Sequence, residues 1–210
     1  MARLIRTFEW ADTPLGPIEN WPPELKSAVD IMLSAGEAIS IYWGQHHILL
    51  YNDAWRTFIG AKHPEALGRP AHEIFPEIWE AIGPKFAYVL AGNGAAFERA
   101  QRLPLKRGGQ LEDTWFSYSF NPIPMADGTV GGIFNIGTEV TERVKAEEAL
   151  RESEEFHRLA AEAGNVGTWS VDLETGNADL SYRMAELMGY APDEHEATPN
   201  QPKPEHWQQR

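Results

Sequence analysis

The stretch from Leu111 to Arg143 constrains the fold most, because it holds two strand patterns, a tight turn and an abrupt change to helical spacing. Trp115 to Ile123 alternates large and small side chains with a period of two, which is typical of a half-buried strand. Ala126-Asp127-Gly128 has the composition of a tight turn, since glycine tolerates a positive φ. Thr129 to Thr138 forms the second strand, and Glu139 to Arg143 then takes helical spacing. The stretch therefore predicts an antiparallel hairpin that continues directly into a charged helix.

The same stretch carries a series of short motifs in a fixed order: Trp115, Pro122-Ile123, Asp127-Gly128, Gly131-Gly132 and Glu139-Val140-Thr141-Glu142-Arg143. In this order and spacing they resemble the end of a PAS sensor domain, including its C-terminal PAC part. One departure is Glu139, where the family usually has Asp. The resemblance implies an α+β PAS fold, in which one face of a five-stranded antiparallel sheet is covered by helices.

The preceding sequence supplies the other elements that this fold needs. A helix is predicted from Pro23, with apolar residues at helical spacing on one face and Gly36 at its end. A longer helix is predicted from Pro76 to Leu90, and Pro84 is expected to kink or split it. The three remaining strands are predicted at Ala38 to Trp43, His47 to Tyr51 and Phe97 to Leu105.

The second part of the chain repeats the first. Residues 180–189 match Tyr51 to Gly60 without a gap, which indicates an internal repeat and resembles the first third of another PAS domain. Between the two copies lies a charged helix that resembles the coiled-coil linkers of such proteins, with a single solvated helix as the alternative. The predicted boundaries are a leader and flanking helix at 1–35, a PAS domain with its PAC part at 36–141, a linker helix at 142–163 and a truncated second PAS domain at 164–210.

Composition excludes several classes of function. The net charge of −13 argues against a nucleic-acid partner and an anionic membrane surface, because both require basic residues. The chain has no cysteine, which rules out disulfides and thiolate chemistry and fits a reducing compartment. No apolar run approaches the ~18 residues of a membrane span. A cytoplasmic location is therefore expected.

Neither part of a kinase catalytic core is recognisable in the chain. His157 lies in a predicted helix but lacks the surroundings of a phosphoacceptor histidine, and no glycine-rich loop leads from a strand into a helix. The resemblance nevertheless implies a longer parent, a sensor histidine kinase that autophosphorylates with ATP. We therefore predict no catalytic residue here and leave open whether the protein is an enzyme.

The cofactor of such a domain is left unknown by the sequence. A cysteinyl-flavin bond is excluded because there is no cysteine, while haem and noncovalent flavin remain open alternatives. His46-His47, His63 and His72 are the histidines considered for haem, but adjacent strand residues point to opposite faces, so at most one of the first pair faces a site. No metal site is predicted.

A generic pocket can be placed from strand periodicity and from the resemblance together. Phe116, Tyr118 and Phe120 share one strand face, and alignment with relatives that bind a cofactor puts them inward. Ile133 and Asn135 share a face of the last strand, and a buried amide needs a hydrogen-bond partner. These five residues form the candidate ligand pocket, and the alternative is that the aromatic rings only fill the core.

The exit from the sheet is the candidate element for signal transmission, at Glu139, Thr141 and Arg143. Thr138 is expected to cap the helix. The resemblance implies that Glu139 pairs with a basic group of the PAS body, near Lys62 or Arg69 or on the sheet edge. The predicted function is the input module of a two-component sensor histidine kinase, which binds a small ligand or partner and acts on downstream kinase domains. A homodimer is expected, and the alternative is a dimerisation module without a small ligand.

Overall fold

The computed structural model describes residues 1–164, 166–172, 175 and 178–189. The chain forms two compact units, Met1–Lys145 and Ala146–Arg210. The last part of the predicted second PAS domain, 190–210, lies outside the described residues, as do residues 165, 173–174 and 176–177.

The first unit is built on a five-stranded antiparallel sheet with the strand order β2-β1-β7-β6-β3. This confirms the predicted sheet and its α+β class. The central pair is the predicted hairpin, in which Phe120 lies opposite Asn135 and Tyr118 lies opposite Gly137. The five strands are β1 (Ile39–Trp43), β2 (Ile48–Tyr51), β3 (Ala96–Arg102), β6 (Trp115–Pro124) and β7 (Val130–Glu139).

A small separate hairpin stands between β3 and β6, whereas the third strand was predicted to run without a break from Phe97 to Leu105. Its strands are β4 (Leu105–Arg107) and β5 (Gln110–Glu112), which pair only with each other. Gly108 and Gly109 form the turn with φ of 56° and 87°, values that side chains with a Cβ rarely adopt. The predicted third strand therefore ends at Arg102, and Leu105 belongs to a second element that leaves the sheet.

The helices bunch between β2 and β3, as the sequence predicts. The longest of them is one continuous helix that contains Pro84 and begins at Trp79 rather than Pro76. Its side chains Ile82, Phe86 and Val89 are buried. These helices are α3 (Arg56–Ile59), α4 (Ala71–Ile74) and α5 (Trp79–Leu90), with a short 3₁₀ helix at Gly60–Lys62.

The N-terminal leader belongs to the hydrophobic core of the first unit. It contains α1 (Ala2–Thr7) and two 3₁₀ turns (Trp10–Asp12 and Ile18–Asn20). Trp10 and Trp21 are buried, and their rings meet edge to face at 4.9 Å. Each indole N–H donates to a leader carbonyl, that of Ile5 or Gly16. The leader is thus a packed part of the unit.

The flanking helix α2 (Pro23–Ser34) also uses its apolar face within the chain. Leu25, Ala28, Val29 and Met32 are buried in the same core, and the helix contacts β1, β2 and β6. The apolar face of α2 is therefore already covered by the chain's own sheet.

The second unit repeats the opening of the first in shorter form. Strands β8 (Trp169–Val171) and β9 (Ala178–Leu180) pair antiparallel and lead into α7 (Tyr182–Met188). Ser181 caps α7 by accepting a hydrogen bond from the Met184 N–H, and Gly189 closes it with a φ of 83°. The long helix α6 (Thr141–Ala163) precedes these elements in the chain.

Candidate functional site

A small cavity lies between one face of the sheet and the elements that cover that face. The sheet contributes Tyr42 of β1 together with residues of β6 and β7. The opposite wall comes from the turn before α3, from α3, from the helical segments that follow and from the separate hairpin. This wall includes Trp55, Phe58, Phe75 and Leu105.

Four of the five predicted pocket residues line this cavity. Phe116, Tyr118 and Phe120 alternate along β6 with their side chains buried, and Asn135 faces Phe120 across the hairpin. Ile133 is fully buried but is not part of the cavity wall. Period-two alternation gives the strand face, whereas the length of strand that the cavity spans depends on the covering helices.

Three important wall residues were not predicted, namely Trp55, Phe58 and Leu105. Trp55 and Phe58 lie in the short segment after β2, where the sequence suggested only a packed helix. The one available signal was their spacing of three residues, which places both rings on the same side of a helical turn. The two rings meet edge to face at 5.1 Å, and Phe58 lies 5.2 Å from Phe116.

The polar groups of the cavity are few and nearly all neutral. The Asn135 amide donates to Ser40 Oγ at 3.1 Å on the neighbouring strand. Burial raises the pKa of Tyr42 to about 12, although the nearby polar side chains of Ser40 and Asn135 lower it in part. Burial likewise raises the pKa of Tyr118, whose hydroxyl donates to Gln101 Oε1. Both phenols are therefore neutral at physiological pH.

The volume of the cavity limits what it can hold. It encloses about 40 Å³, whereas typical ligand sites enclose ~300–1,000 Å³. In this conformation there is room for water-sized groups, and a larger ligand would have to push the walls apart. The walls include two elements of only four and three residues, Arg56–Ile59 and Leu105–Arg107, which have few backbone bonds to break.

The separate hairpin connects the cavity to the root of α6. Leu105 lines the cavity, and two residues further along, Arg107 donates from Nη2 to Glu139 Oε2 at 2.7 Å and from Nη1 to Oε1 at 3.3 Å. Arg107 Nε also donates to the carbonyl of Phe58 at 3.0 Å, and Phe58 is itself a wall residue. Arg107 therefore touches both the cavity wall and the end of β7.

Glu139 and Thr141 form the junction between β7 and α6. Thr141 Oγ1 donates to Glu139 Oε1 at 2.8 Å and accepts from the backbone N–H of Trp115 at 3.0 Å. Thr138, the predicted helix cap, lies within β7 opposite Ser117, so it cannot cap a helix that begins three residues later at Thr141. Arg143 is exposed in the first turn of α6.

A second contact holds the same hairpin from the other side. Glu77 Oε1 accepts from the backbone N–H of Lys106 at 3.0 Å and also pairs with Lys62. Lys62 donates to the Ile74 carbonyl at 2.7 Å, and its ammonium lies 4.9 Å from the centre of the Phe75 ring. Lys62 therefore pairs with Glu77 and not with Glu139, whose partner is Arg107.

The histidines considered for haem have structural surroundings. His47 and His72 each pack against the Trp79 ring, at 5.5 Å and 5.7 Å between ring centres. His63 Nδ1 hydrogen-bonds the Tyr51 hydroxyl at 2.9 Å. Within the residues that the structure describes, no three His, Asp or Glu side chains are placed to hold a metal ion. None of these histidines lines the cavity.

The Arg107–Glu139 pair should contribute measurably to stability. Burial by itself would raise the pKa of Glu139, but the hydrogen bonds from Arg107 and Thr141 outweigh it and hold the pKa below its usual value. Both side chains are at most a quarter exposed, so we expect Glu139→Gln to lower the free energy of unfolding at pH 7 by about 1–2 kcal/mol, between the values of surface and buried charged pairs. Urea unfolding will measure the loss.

The loss should also depend on pH. A carboxyl whose pKa is lower when folded stabilises the protein above its unfolded pKa of about 4.3, and the contribution fades as the pH falls through the folded value. The difference between wild type and Glu139→Gln should therefore shrink below about pH 4. Glu112→Gln is the matched control, because Glu112 lies 3.7 Å from the same Arg107 but is half exposed. An equal effect of both substitutions would contradict the special role of Glu139.

Comparison with known proteins agrees with this architecture. The family model described as PAS fold matches residues 41–145, half of the 210-residue chain. The chain therefore belongs to the PAS-fold family, a family of sensory domains. No curated protein matches the sequence.

Several solved structures have a similar fold. The PAS domain of a protein from Colwellia psychrerythraea is 17% identical with a TM-score of 0.44, and the match covers 56% of this chain and 98% of that one. A sensory box sensor histidine kinase from Vibrio cholerae is 20% identical with a TM-score of 0.41, over 56% and 90%. The PAS domain of BvgS from Bordetella pertussis is 19% identical with a TM-score of 0.47, over 64% and 98%.

Among the described residues, no helix is both long enough and apolar enough to cross a membrane.

Proposed function

We propose that this chain is the sensory input region of a signal-transducing protein, with a sensor histidine kinase as the expected parent. In this proposal the cavity responds to a small ligand, and the response reaches a downstream catalytic domain through the helix that begins at Thr141. Membership of the PAS-fold family supports a sensory role. The expected kinase parent is supported by the T-P-L-G-P and W-P motifs at 13–17 and 21–22, which resemble a leader found before the first PAS domain of some bacterial sensor kinases.

The observation that carries the proposal is the position of β4. Three consecutive residues of this strand make three different contacts: Leu105 with the cavity, Lys106 with Glu77 and Arg107 with Glu139. A ligand that displaced Leu105 or Phe58 would also move the guanidinium that holds the end of β7. Among the strands of the described residues, β4 pairs only with β5, so it can shift without breaking the main sheet.

Arg107 sets the exit direction of α6 in this mechanism. Its guanidinium binds both oxygens of Glu139, and Glu139 in turn accepts from the Thr141 hydroxyl in the first turn of the helix. The planar guanidinium can bond Glu139 and the Phe58 carbonyl together, which a lysine ammonium cannot do with the same geometry. Loss of this arrangement frees the helix root while the sheet remains intact.

Arg107→Lys should therefore alter signalling more than it alters stability. A histidine kinase catalytic core fused after Arg210 reports the state of the helix as basal autophosphorylation. Losing hydrogen bonds to a charged group, at about 1.5–3 kcal/mol, corresponds to a shift of about tenfold or more in a two-state equilibrium. We expect the basal rate of autophosphorylation to rise or to fall by about that factor.

Arg102→Lys is the matched control for this experiment. Arg102 also pairs with a carboxylate, Asp113, but both side chains are more than half exposed and neither lines the cavity. This variant should keep the wild-type rate. If Arg107→Lys also keeps it, the relay through β4 is refuted.

We further propose that 36–141 is the sensory domain, that 142–163 is the linker helix and that 164–210 is the start of a second PAS domain. The proposal is supported by the repeat of two paired strands, a helix and a closing glycine, with Gly60 and Gly189 both at positive φ. The leader and α2, at 1–35, act as a structural extension of the sensory domain, since both pack in its core.

A second candidate function is an interaction module that forms a homodimer and binds no small ligand. One observation favours it: Phe97 is 70% exposed and Ile136 is 41% exposed, and both flank Ser119 on the outer face of the sheet. If this face joins two copies, Phe97→Glu should halve the mass measured by light scattering at micromolar concentration. Leu111→Glu, on the exposed small hairpin, is the control. An unchanged mass for Phe97→Glu would contradict this use of the face.

A further inference from the structure

Two polar atoms in the cavity wall are buried without a hydrogen-bond partner. They are the Trp55 indole nitrogen Nε1 and the Asn135 carbonyl oxygen Oδ1, and they are the side-chain atoms in this state within the described part of the chain. Both residues line the same cavity. One is a donor and the other an acceptor, and each costs about 1–3 kcal/mol while it stays unpaired. Such a complementary pair in one cavity suggests a ligand that satisfies both.

The two residues are neighbours in the cavity wall. The Trp55 ring packs over Gly137, where a Cβ atom would come within 3.1 Å of ring atom Cζ3. Gly137 follows Asn135 by two residues on the same face of β7, a separation of about 7 Å along a strand. The absence of a side chain at Gly137 thus lets the indole approach the strand beside Asn135.

The rest of the wall determines the charge of the ligand. The wall contains no Lys, Arg, His, Asp or Glu, and its two phenols are neutral. A charged ligand would lose its hydration without gaining a counter-charge, which is strongly unfavourable. The wall residues are otherwise aliphatic or aromatic, and aromatic edges and faces favour an aromatic guest.

The volume of the cavity limits the size of the ligand. A dry cavity of about 150 Å³ accepts benzene, and this one encloses about 40 Å³. A single ring therefore requires the short wall elements to move apart. A fused or larger ring system would require the wall to be rebuilt.

We propose that the cavity binds a small, neutral, one-ring heteroaromatic molecule that carries one hydrogen-bond acceptor and one donor. The acceptor takes the Trp55 N–H, and the donor gives to Asn135 Oδ1. The assignment deepens the proposed sensory function and rests on it. Trp55 also contacts Phe58, whose carbonyl binds Arg107, so the residue that recognises the ligand adjoins the relay.

The test uses four probes of similar size with the whole chain. 2-Pyridone and 4-pyridone are neutral and carry a donor and an acceptor at two different spacings. Toluene carries neither, and benzoate is charged. With ¹⁵N-labelled tryptophan, each of the eight indole N–H groups gives a separate resonance, and Trp55→Phe assigns the signal of Trp55.

We expect a pyridone to shift the Trp55 signal in a saturable titration, toluene to bind more weakly and benzoate not to bind. Titration calorimetry, which does not need the Trp55 signal, measures the variants: Trp55→Phe and Asn135→Leu should each weaken pyridone binding about tenfold, the effect of one lost hydrogen bond in a dry site, and should weaken toluene binding less. Trp43→Phe is the matched control, because Trp43 lies on the outer face of β1 and does not line the cavity.

Three results would overturn the inference. They are the absence of any shift of the wild-type Trp55 signal by either pyridone, equal binding of toluene and the pyridones, and equal pyridone affinity in wild type and Trp55→Phe. The first result would mean that buried water, and not a ligand, hydrogen-bonds the two polar atoms. None of these results depends on the fused kinase, and none would change the Arg107→Lys comparison, so failure of the ligand class is distinguishable from failure of the relay.

Discussion

Replacing Asn52 by alanine should lower the free energy of unfolding by about 3 kcal/mol or more, the sum of several buried polar groups left unpaired. The Asn52 side chain is buried and bonds three segments at once. Its Oδ1 accepts from the backbone N–H groups of Ile39 and Trp55, at 3.1 Å and 3.0 Å. Its Nδ2 donates to the carbonyls of Met32 and Glu37, at 3.1 Å and 2.6 Å.

Asn52→Asp tests the donor bonds of the Asn52 side chain separately from its acceptor bonds. Aspartate keeps the acceptor but places a second oxygen against carbonyl oxygens, so we expect a loss at least as large as that of the alanine variant. Asn93→Ala is the control, since Asn93 is exposed with one bond to the Tyr88 carbonyl, and should change stability by less than about 0.5 kcal/mol. Urea unfolding followed by near-UV circular dichroism measures all three. Equal midpoints for Asn52→Ala and Asn93→Ala would show that Asn52 is dispensable.

Trp10→Ala should cost about 3–5 kcal/mol of unfolding free energy, the usual range for a large aromatic removed from a core. Trp10 is only 2% exposed, and its ring contacts those of Phe8 and Trp21 at 4.6 Å and 4.9 Å. Its indole N–H is bonded to the Ile5 carbonyl at 2.7 Å. The substitution therefore opens a cavity and frees a buried acceptor.

The matched control for Trp10 is another tryptophan in the same chain. Trp169 is 59% exposed in β8, and Trp169→Ala should change stability by less than about 0.5 kcal/mol. The comparison of these two variants also tests whether the N-terminal leader is packed into the core of the first unit. If Trp10→Ala unfolds at the same temperature as the wild type, the leader contributes little to the core. Residues 1–35 could then be removed without unfolding the domain, and the shortened chain would test whether they are needed for dimerisation.

The strands of the sheet could be predicted because their signals are local. Alternation in Trp115 to Ile123 and the Asp127-Gly128 turn fix a hairpin from neighbouring residues, and the observed strands differ from the prediction by one residue at the ends. The apolar face of α2 was also predictable, because four residues at helical spacing require a surface to cover them. The direction in which that face packs was not contained in the pattern.

The candidate site could be predicted only in part. Period two places Phe116, Tyr118 and Phe120 on one strand face, and the resemblance to relatives that bind a cofactor implied that this face points inward. Asn135 was placed by the same alternation on the last strand. Trp55 enters the wall because Asn52 turns the chain after β2, a hydrogen-bonded effect that spans distant segments. The extra hairpin at 105–112 was missed because each of its two strands has only three residues, too few for a periodic signal.

The sequence by itself determined the family, the strands and the exit motif, since each depends on residue types at short spacings. The family resemblance also implied a basic partner for Glu139. The tertiary structure decided which one: Arg107, 32 residues earlier in the chain. It also decided the volume of the cavity, the burial of Trp10 and the lack of hydrogen-bond partners for Trp55 Nε1 and Asn135 Oδ1. These properties depend on how distant segments fill space against one another, and side-chain packing in three dimensions has no periodicity along the chain.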